Sequence, residues 1–379
     1  MRIAIVCYPT FGGSGVVATE LGTALAQRGH EIHFITYRQP VRLSLLSPNI
    51  FFHEVYTPEY PLFHYQPYDL ALSSKLVNVV TEHSIEVLHV HYAIPHAYAG
   101  FMAQQMLASK GYLLPMVTTL HGTDITLVGV HPFYKPAVEF SINQSDAVTS
   151  VSASLRDMTF QGFDIEKNIE VIPNFIDIDL VNTNFNECDR SMIAFPNERI
   201  VTHISNMRAV KRIPDVIKTF ALIQKKVPAV LLMVGDGPEV ETARALSRKL
   251  KLEHAIKFLG NTSDIDKILC FSDLFLLPSQ SESFGLAALE AMSNRVAVIS
   301  SNAGGIPEVN QHGVSGYLSE IGDVQDMAAN AIQLLSDSEK LERFKNQAFE
   351  VAQQFSKNAV VPMYEQIYRK AYEAKTQKS

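Results

Sequence analysis

The sequence predicts an α/β protein made of two doubly wound domains with parallel sheets. Three observations carry this. Apolar strand-like runs alternate with amphipathic helical segments along most of the 379 residues, and strict β–α alternation favours parallel sheets. The alternation starts at residue 3, stops at a polar stretch and restarts near residue 199. A length of 379 residues also fits two or three domains better than one.

The elements follow in order. Ile3 to Tyr8 is an unbroken apolar run and predicts a buried strand. A glycine turn, Gly12-Gly13-Ser14-Gly15, leads into a helix from about Val16 to Arg28, and Gly29 stops that helix. Glu31 to Thr36 is the next strand, which completes a βαβ unit. Met116 to Leu120 is a further strand. The Asn-rich stretch Asp177 to Asn197 lacks either periodicity and reads as the linker. Beyond it come the strand Arg199 to Ser205, the helix Ile213 to Lys226, the strand Ala229 to Gly235 and a helix from about Glu239 to Leu250. Leu286 to Met292 is rich in Ala, Leu and Glu and predicts a helix. Val296 to Ser301 is a strand, and two helices, about Asp323 to Phe355 and Val360 to Lys375, end the chain. The expected domains are 1–180 and 198–355, with 356–379 as a terminal helix packing back on the first.

The composition narrows the function. A net charge of −7 argues against general nucleic-acid binding, and any anionic ligand must be met by local positive groups. No apolar run approaches the length of a membrane span, and the N-terminal apolar run is too short for a signal peptide. Cys7, Cys188 and Cys270 are widely spaced and form no metal pattern, so reduced thiols in a cytoplasmic protein are expected.

Ligands of such sheets bind outside the carboxyl ends of the strands, and the chain's polar motifs cluster there. Glu282-Ser-Phe-Gly-Leu-Ala-Ala-Leu-Glu290 is the most informative. Phe284 and Gly285 stand at a helix mouth, where unpaired N–H groups carry partial positive charge and hold phosphate. Glu290 lies five residues past Gly285, about 7–8 Å along the axis. Carboxylates at both ends and a phosphate site between them suit a nucleotide sugar. Asn206-Met-Arg208-Ala-Val-Lys211-Arg212 places three cations before a helix, either a diphosphate clamp or a solvated basic turn. His121-Gly-Thr-Asp124 follows a strand, so His121 contacts a ligand or Asp124 simply caps a turn. Gly304-Gly305-Ile-Pro-Glu308 is a further glycine turn. His89, His91 and His96 lack carboxylate or cysteine partners nearby, so no metal ligands are expected.

Together these residues resemble the retaining GT-B glycosyltransferases of family 4, over nearly the whole chain. The resemblance implies two Rossmann-like domains facing across a cleft, with the Gly12–Gly15 loop and the Glu282–Glu290 segment on opposite walls. Further residues, Gly12-Gly-Ser-Gly-Val-Val-Ala-Thr-Glu-Leu-Gly22, His91-Tyr-Ala-Ile-Pro-His96, Thr118-Thr-Leu-His-Gly-Thr-Asp-Ile125 and Pro173-Asn-Phe-Ile-Asp177, are similar to the branch that opens bacillithiol biosynthesis. That implies UDP-N-acetylglucosamine as donor, L-malate as acceptor, an α-linked product and no metal or other cofactor. It also implies roles. Lys211 with Arg208 would bind the diphosphate, Glu290 the ribose, and Glu282 the donor sugar, aided by backbone at Phe284 and Gly285. Gly13 would touch the diphosphate, His121 would sit by the sugar, and Asn261 would line the base site. Ser14, Tyr92, Thr119 and Asn206 are the candidates for malate. Many members of the family carry an arginine where Asn206 stands, which leaves open whether Arg208 or Asn206 completes the clamp.

Three alternatives stay open at this stage. Another small acceptor, a nucleotide-sugar epimerase and a non-catalytic nucleotide-sugar sensor share these motifs, and product analysis with and without acceptor separates them. Partners are the two small substrates, with no nucleic acid and no membrane. The residues are compatible with a homo-oligomer without requiring one.

Overall fold

The computed structural model describes residues 1–377 apart from 11, 60, 62, 63, 179–188 and 263. The chain divides into two compact units, Met1–Asn174 with Lys357–Ser379, and Phe175–Ser356. Residues 179–188 of the expected linker lie outside the described residues.

The first unit holds a seven-stranded sheet in the order β3-β2-β1-β4-β5-β6-β7, every neighbouring pair parallel. Its strands are β1 (Arg2–Val6), β2 (Glu31–Thr36), β3 (Ile50–Glu54), β4 (Val87–His91), β5 (Met116–Leu120), β6 (Ala147–Ser150) and β7 (Ile169–Val171). Helices α1 (Gly13–Gln27), α2 (Tyr68–His83), α3 (Tyr98–Ala108), α4 (Lys135–Gln144) and α5 (Ala153–Gly162) connect them. Every residue of β4 and β5 is buried, as expected where helices cover both faces of a parallel sheet.

The second unit holds a six-stranded parallel sheet in the order β10-β9-β8-β11-β12-β13. Its strands are β8 (Arg199–Ile204), β9 (Ala229–Val234), β10 (Ile256–Gly260), β11 (Leu274–Leu277), β12 (Ala297–Ser301) and β13 (Gly316–Ser319). Its helices are α6 (Ile213–Gln224), α7 (Val240–Lys249), α8 (Ile265–Cys270), α9 (Leu286–Ser293), α10 (Ile306–Val309), α11 (Val324–Leu335) and α12 (Ser338–Gln353). Ile213, Val216, Ile217, Phe220 and Ile223 form the helical stripe of α6 that packs into the core with Val201, Leu231 and Met233.

In both sheets the strand order reverses beside the first strand, between β1 and β4 and between β8 and β11. Such a reversal opens a crevice at the carboxyl ends of the two strands, because their connections leave in opposite directions. The loops after β1, β4, β8 and β11 therefore frame the candidate site of each unit.

The last helix, α13 (Lys357–Thr376), packs within the first unit. Glu365 accepts two hydrogen bonds from Arg28, both 2.9 Å, and pairs with His30 at 3.0 Å. The Arg28 bonds hold the Glu365 carboxyl down to about 2. Tyr368 shares a 2.8 Å hydrogen bond with His89.

The structure departs from the sequence reading in three places. The helix expected from Val16 begins at Gly13, so the glycines form its first turn and not a loop before it. The single helix expected over 323–355 is two, because Asp337 accepts a hydrogen bond from the Lys340 N–H and caps a new start. Cys7 is a buried free thiol, pushed up to about 12 by burial, but Cys270 is disulfide-bonded, against the expectation of reduced thiols. Cys188 lies outside the described residues. Among those residues no helix is long and apolar enough to cross a membrane.

Candidate active site

In the second unit the chain leaves β8 through Ser205, Asn206 and Met207, then makes a single 3-10 turn, Ala209–Lys211, ahead of α6. The buried His203 holds this exit. One ring nitrogen bonds the Leu276 carbonyl at 2.8 Å and the other the Ser205 hydroxyl at 2.8 Å, and that hydroxyl accepts from the Met207 N–H at 3.1 Å. Burial lowers His203 to about 4, so it serves as a neutral strut. A bond from the Gln280 N–H to the Val210 carbonyl, 2.8 Å, ties the Lys211 turn to the loop after β11.

That tie brings together two residues 71 apart in sequence. The Lys211 ammonium forms an ion pair and hydrogen bond with Oε1 of Glu282. Ser279 donates to the same oxygen at 2.8 Å, which leaves Oε2 for other donors. Gly304 and Gly305 clamp the Glu282 backbone from behind, with the Gly305 N–H donating to the Glu282 carbonyl at 2.9 Å. At Gly304 (φ +55°) a Cβ would stand 2.1 Å from that carbonyl oxygen, so only glycine fits.

Gly285 is the N-cap of α9. Its carbonyl accepts from the N–H groups of Ala288 and Leu289, while the earlier N–H groups of the first turn have no partner within the helix. Phe284 is buried edge-on against Phe355, with ring centroids 5.6 Å apart, so it contributes backbone to the mouth. Glu290 is half-buried on the second turn of α9.

In the first unit α1 starts at Gly13 directly after the β1 loop. A Cβ on Gly15 would lie 2.5 Å from the Thr10 carbonyl oxygen, so glycine lets the helix mouth sit tight on the end of β1. Tyr92, just past β4, donates its hydroxyl to Ser14 at 2.7 Å. These two residues, 78 apart in sequence, meet across the strand-order reversal. Tyr92 has φ +86°, a strained value for a bulky residue and one that clusters at functional sites.

Asp124 fixes the neighbouring loops. Its carboxylate accepts from the Ala93 N–H at 3.0 Å, the Gly122 N–H at 3.0 Å and the His121 N–H at 3.3 Å. Burial raises it to about 6 despite those bonds. A cavity of about 550 Å³ opens here, lined by Tyr8, Tyr92, Tyr98, Thr123, Asp124 and Tyr134.

The expected site residues fall into three groups. Lys211 on the loop after β8 pairs with Glu282 on the loop after β11, and Phe284, Gly285 and Glu290 follow Glu282 into α9, while Ser14 beside Gly13 meets Tyr92 between the ends of β1 and β4. Asn206, Arg208 and Asn261 are exposed on loops at carboxyl ends of strands of the second sheet. Arg212, the third cation, is committed to Asp215 at 2.6 Å.

His121 and Thr119 are both buried side chains. His121 is largely buried, shares a 2.7 Å hydrogen bond with His91, and is lowered to about 3 by burial. It is therefore a neutral ring at pH 7. Thr119 is fully buried, and its hydroxyl is shared between His89 and Thr149, each at 2.7 Å. It reaches a ligand only through neighbours, because both faces of β5 are covered and its hydroxyl is held by the strands on either side.

His203, Ser279, Thr123 and the supporting role of Ser205 were missed. Small polar residues near a strand end carry no signal of their own, and only the fold shows what they hold.

A parallel sheet with a reversal in each unit, plus a lysine–glutamate pair beside a helix mouth, defines the class of GT-B nucleotide-sugar transferases. A model described as Glycosyltransferase Family 4 matches residues 11–180, and one described as Glycosyl transferases group 1 matches residues 186–351. The chain belongs to the family 4 glycosyltransferases. It is 47% identical over 370 residues, 97% of this chain and 96% of the relative, to the N-acetyl-alpha-D-glucosaminyl L-malate synthase of Bacillus anthracis. The fold is shared with Anabaena HepE crystallised with UDP and glucose, at a TM-score of 0.80 and 23% identity, over 98% of this chain and 100% of that one. It is shared too with the sucrose-phosphate synthase of Thermosynechococcus elongatus, at a TM-score of 0.81 and 19% identity, over 99% and 100%.

Proposed function

We propose that this chain is a retaining glycosyltransferase that moves N-acetylglucosamine from UDP-N-acetylglucosamine to the hydroxyl of L-malate, the first step of bacillithiol biosynthesis. The observation that carries the donor half is the Lys211–Glu282 pair beside the mouth of α9. The acceptor half is supported by the 47% identity to a malate synthase over nearly the full length of both chains.

In this reading the second unit binds the donor. Glu290 accepts the ribose hydroxyls, and Asn261 lines the base. The N–H groups at Phe284 and Gly285 and the Lys211 ammonium meet the diphosphate. Glu282 turns its Oε2 to the sugar hydroxyls while Lys211 and Ser279 hold its Oε1. Arg208 and Asn206, both exposed beside Lys211, supply the remaining polar contacts of the turn. The first unit supplies the acceptor elements. The Ser14–Tyr92 hydroxyl pair suits the polar acceptor, the backbone N–H groups at Gly13 suit the diphosphate, since helix mouths hold anions, and His121 offers a neutral ring to the sugar.

The chemistry is a substitution at the anomeric carbon. The bond to the phosphate oxygen breaks, the malate hydroxyl oxygen forms the new bond on the same face, and its proton passes to the departing phosphate. Negative charge grows on UDP during departure. Lys211 and the α9 mouth stand there beforehand, so they stabilise the transition state more than the ground state. They supply the positive charge that a metal would otherwise bring, and the reading includes no catalytic metal. We place the reaction in the cytoplasm, with one copy of the chain carrying every group named.

The test is incubation of the purified chain with UDP-N-acetylglucosamine and L-malate, with mass analysis of the products. The expected product is the α-linked N-acetylglucosaminyl malate with UDP in equal amount. Free sugar alone, or no turnover despite UDP binding, overturns the reading.

A further inference from the structure

The first unit carries a histidine cluster that the transferase reading does not use. We propose that His33, His53 and His83 form a binding site for a divalent transition-metal ion, zinc by ligand type, at the edge of the first sheet. His33 comes from β2, His53 from the edge strand β3 and His83 from the last turn of α2. One ring nitrogen from each lies within 4.8 Å of the other two. Tetrahedral zinc with bonds of about 2.0–2.1 Å spaces its ligand nitrogens roughly 3.4 Å apart, so ring rotations with small shifts close the site.

Glu31 separates this cluster from a chance stack of rings. Its carboxylate lies 2.8 Å from Nε2 of His33, while Nδ1 of His33 faces Nε2 of His53 at 2.9 Å. A carboxylate on one imidazole nitrogen holds the proton there and leaves the other nitrogen's lone pair for a metal, the arrangement that orients metal-bound histidines generally. His33 is fully buried and held in place, with its ring stacked on Phe51 at 4.9 Å. His53 and His83 are half-buried, which gives an ion a way in from solvent. The ring centroids of His83 lie 4.6 Å from His33 and 5.0 Å from His53, so all three imidazoles converge.

His89, His91 and His96 form no such group. His89 is engaged by Thr119 and Tyr368, His91 by His121, and His96 by the His91 carbonyl. Three histidines leave one coordination position for water. The ion would join the edge strand to α2, a stabilising role distinct from sugar transfer.

The test uses the untagged full chain, stripped with a chelator and titrated with zinc chloride by calorimetry, with magnesium chloride as control. The expected result is one zinc bound per chain, no magnesium binding and a higher melting temperature with zinc. His53→Ala and His83→Ala, both checked for native circular dichroism, should each abolish the zinc heat. Glu31→Gln should weaken binding by about 10–100-fold. No zinc heat with the natural chain, or equal zinc uptake by His53→Ala and His83→Ala, overturns the proposal.

Discussion

Replacing Lys211 with alanine removes the positive charge placed where UDP departs. The side chain is about one-fifth exposed and its partner Glu282 less so, which puts the pair in partly desolvated surroundings. Two unit charges about 4 Å apart interact by about 4 kcal/mol at an effective dielectric of about 20. Charge develops only partly in the transition state, but the variant also leaves the Glu282 carboxylate without its cation beside the phosphates. The two effects push the same way. Loss of a single electrostatic stabiliser in other enzymes lowers kcat by about 10²–10³, and that range is the expectation here. Lys211→Arg keeps the charge but spreads it over a planar fork, so it should recover part of the rate. The assay is initial-rate UDP release at saturating donor and malate, with circular dichroism and melting to confirm the fold. A partly exposed ion pair contributes little to stability, so the melting temperature should move by only a few degrees. A kcat within about threefold of the natural chain would refute the assignment, because a stabiliser of this kind is worth about 2.7–4 kcal/mol.

Further expectations concern binding, backbone and pH. Glu290→Ala should weaken UDP binding by about tenfold, the worth of roughly one charge-assisted hydrogen bond, and unchanged affinity in calorimetry would remove Glu290 from the ribose site. Gly304→Ala forces a Cβ to 2.1 Å from the Glu282 carbonyl oxygen. It should cost about 1–3 kcal/mol of unfolding free energy by urea titration and lower kcat, because the Glu282 loop must shift. Glu365 has a folded-state value of about 2 against an ordinary 4.5. Its stabilisation is therefore complete above pH 4.5 and is lost as pH falls towards 2. The fall in melting temperature between pH 5 and pH 3 should be smaller in Glu365→Gln than in the natural chain, and equal falls would count against the α13 clamp.

Much of the fold was legible because its signals are local. Unbroken apolar runs such as Ile3–Tyr8 and Ala229–Gly235 predict strands buried on both faces, and the strands span Arg2–Val6 and Ala229–Val234. Helix ends were less legible. The Gly12–Gly15 run carries turn residues, yet α1 begins at Gly13, and in its first turn Gly15 lies so close to the Tyr8 and Thr10 carbonyls that a side chain would not fit. The break between α11 and α12 depended on one capping aspartate within a continuous amphipathic pattern.

The sequence by itself determined the fold class, the positions of Lys211, Glu282, Gly285 and Glu290 at strand and helix ends, and the likeness to family 4. These follow from periodicity and motif spacing, which act over a few residues. Only the tertiary structure decided which of them meet. Lys211 pairs with Glu282 because β8 and β11 are neighbours at the strand-order reversal, and Ser14 meets Tyr92 because β1 and β4 are. Other strand pairings drew the Thr119 hydroxyl into a buried network and gathered His33, His53 and His83 from three elements. Contacts between residues distant in sequence arise from sheet order and side-chain direction, and neither is written in any short stretch of the chain.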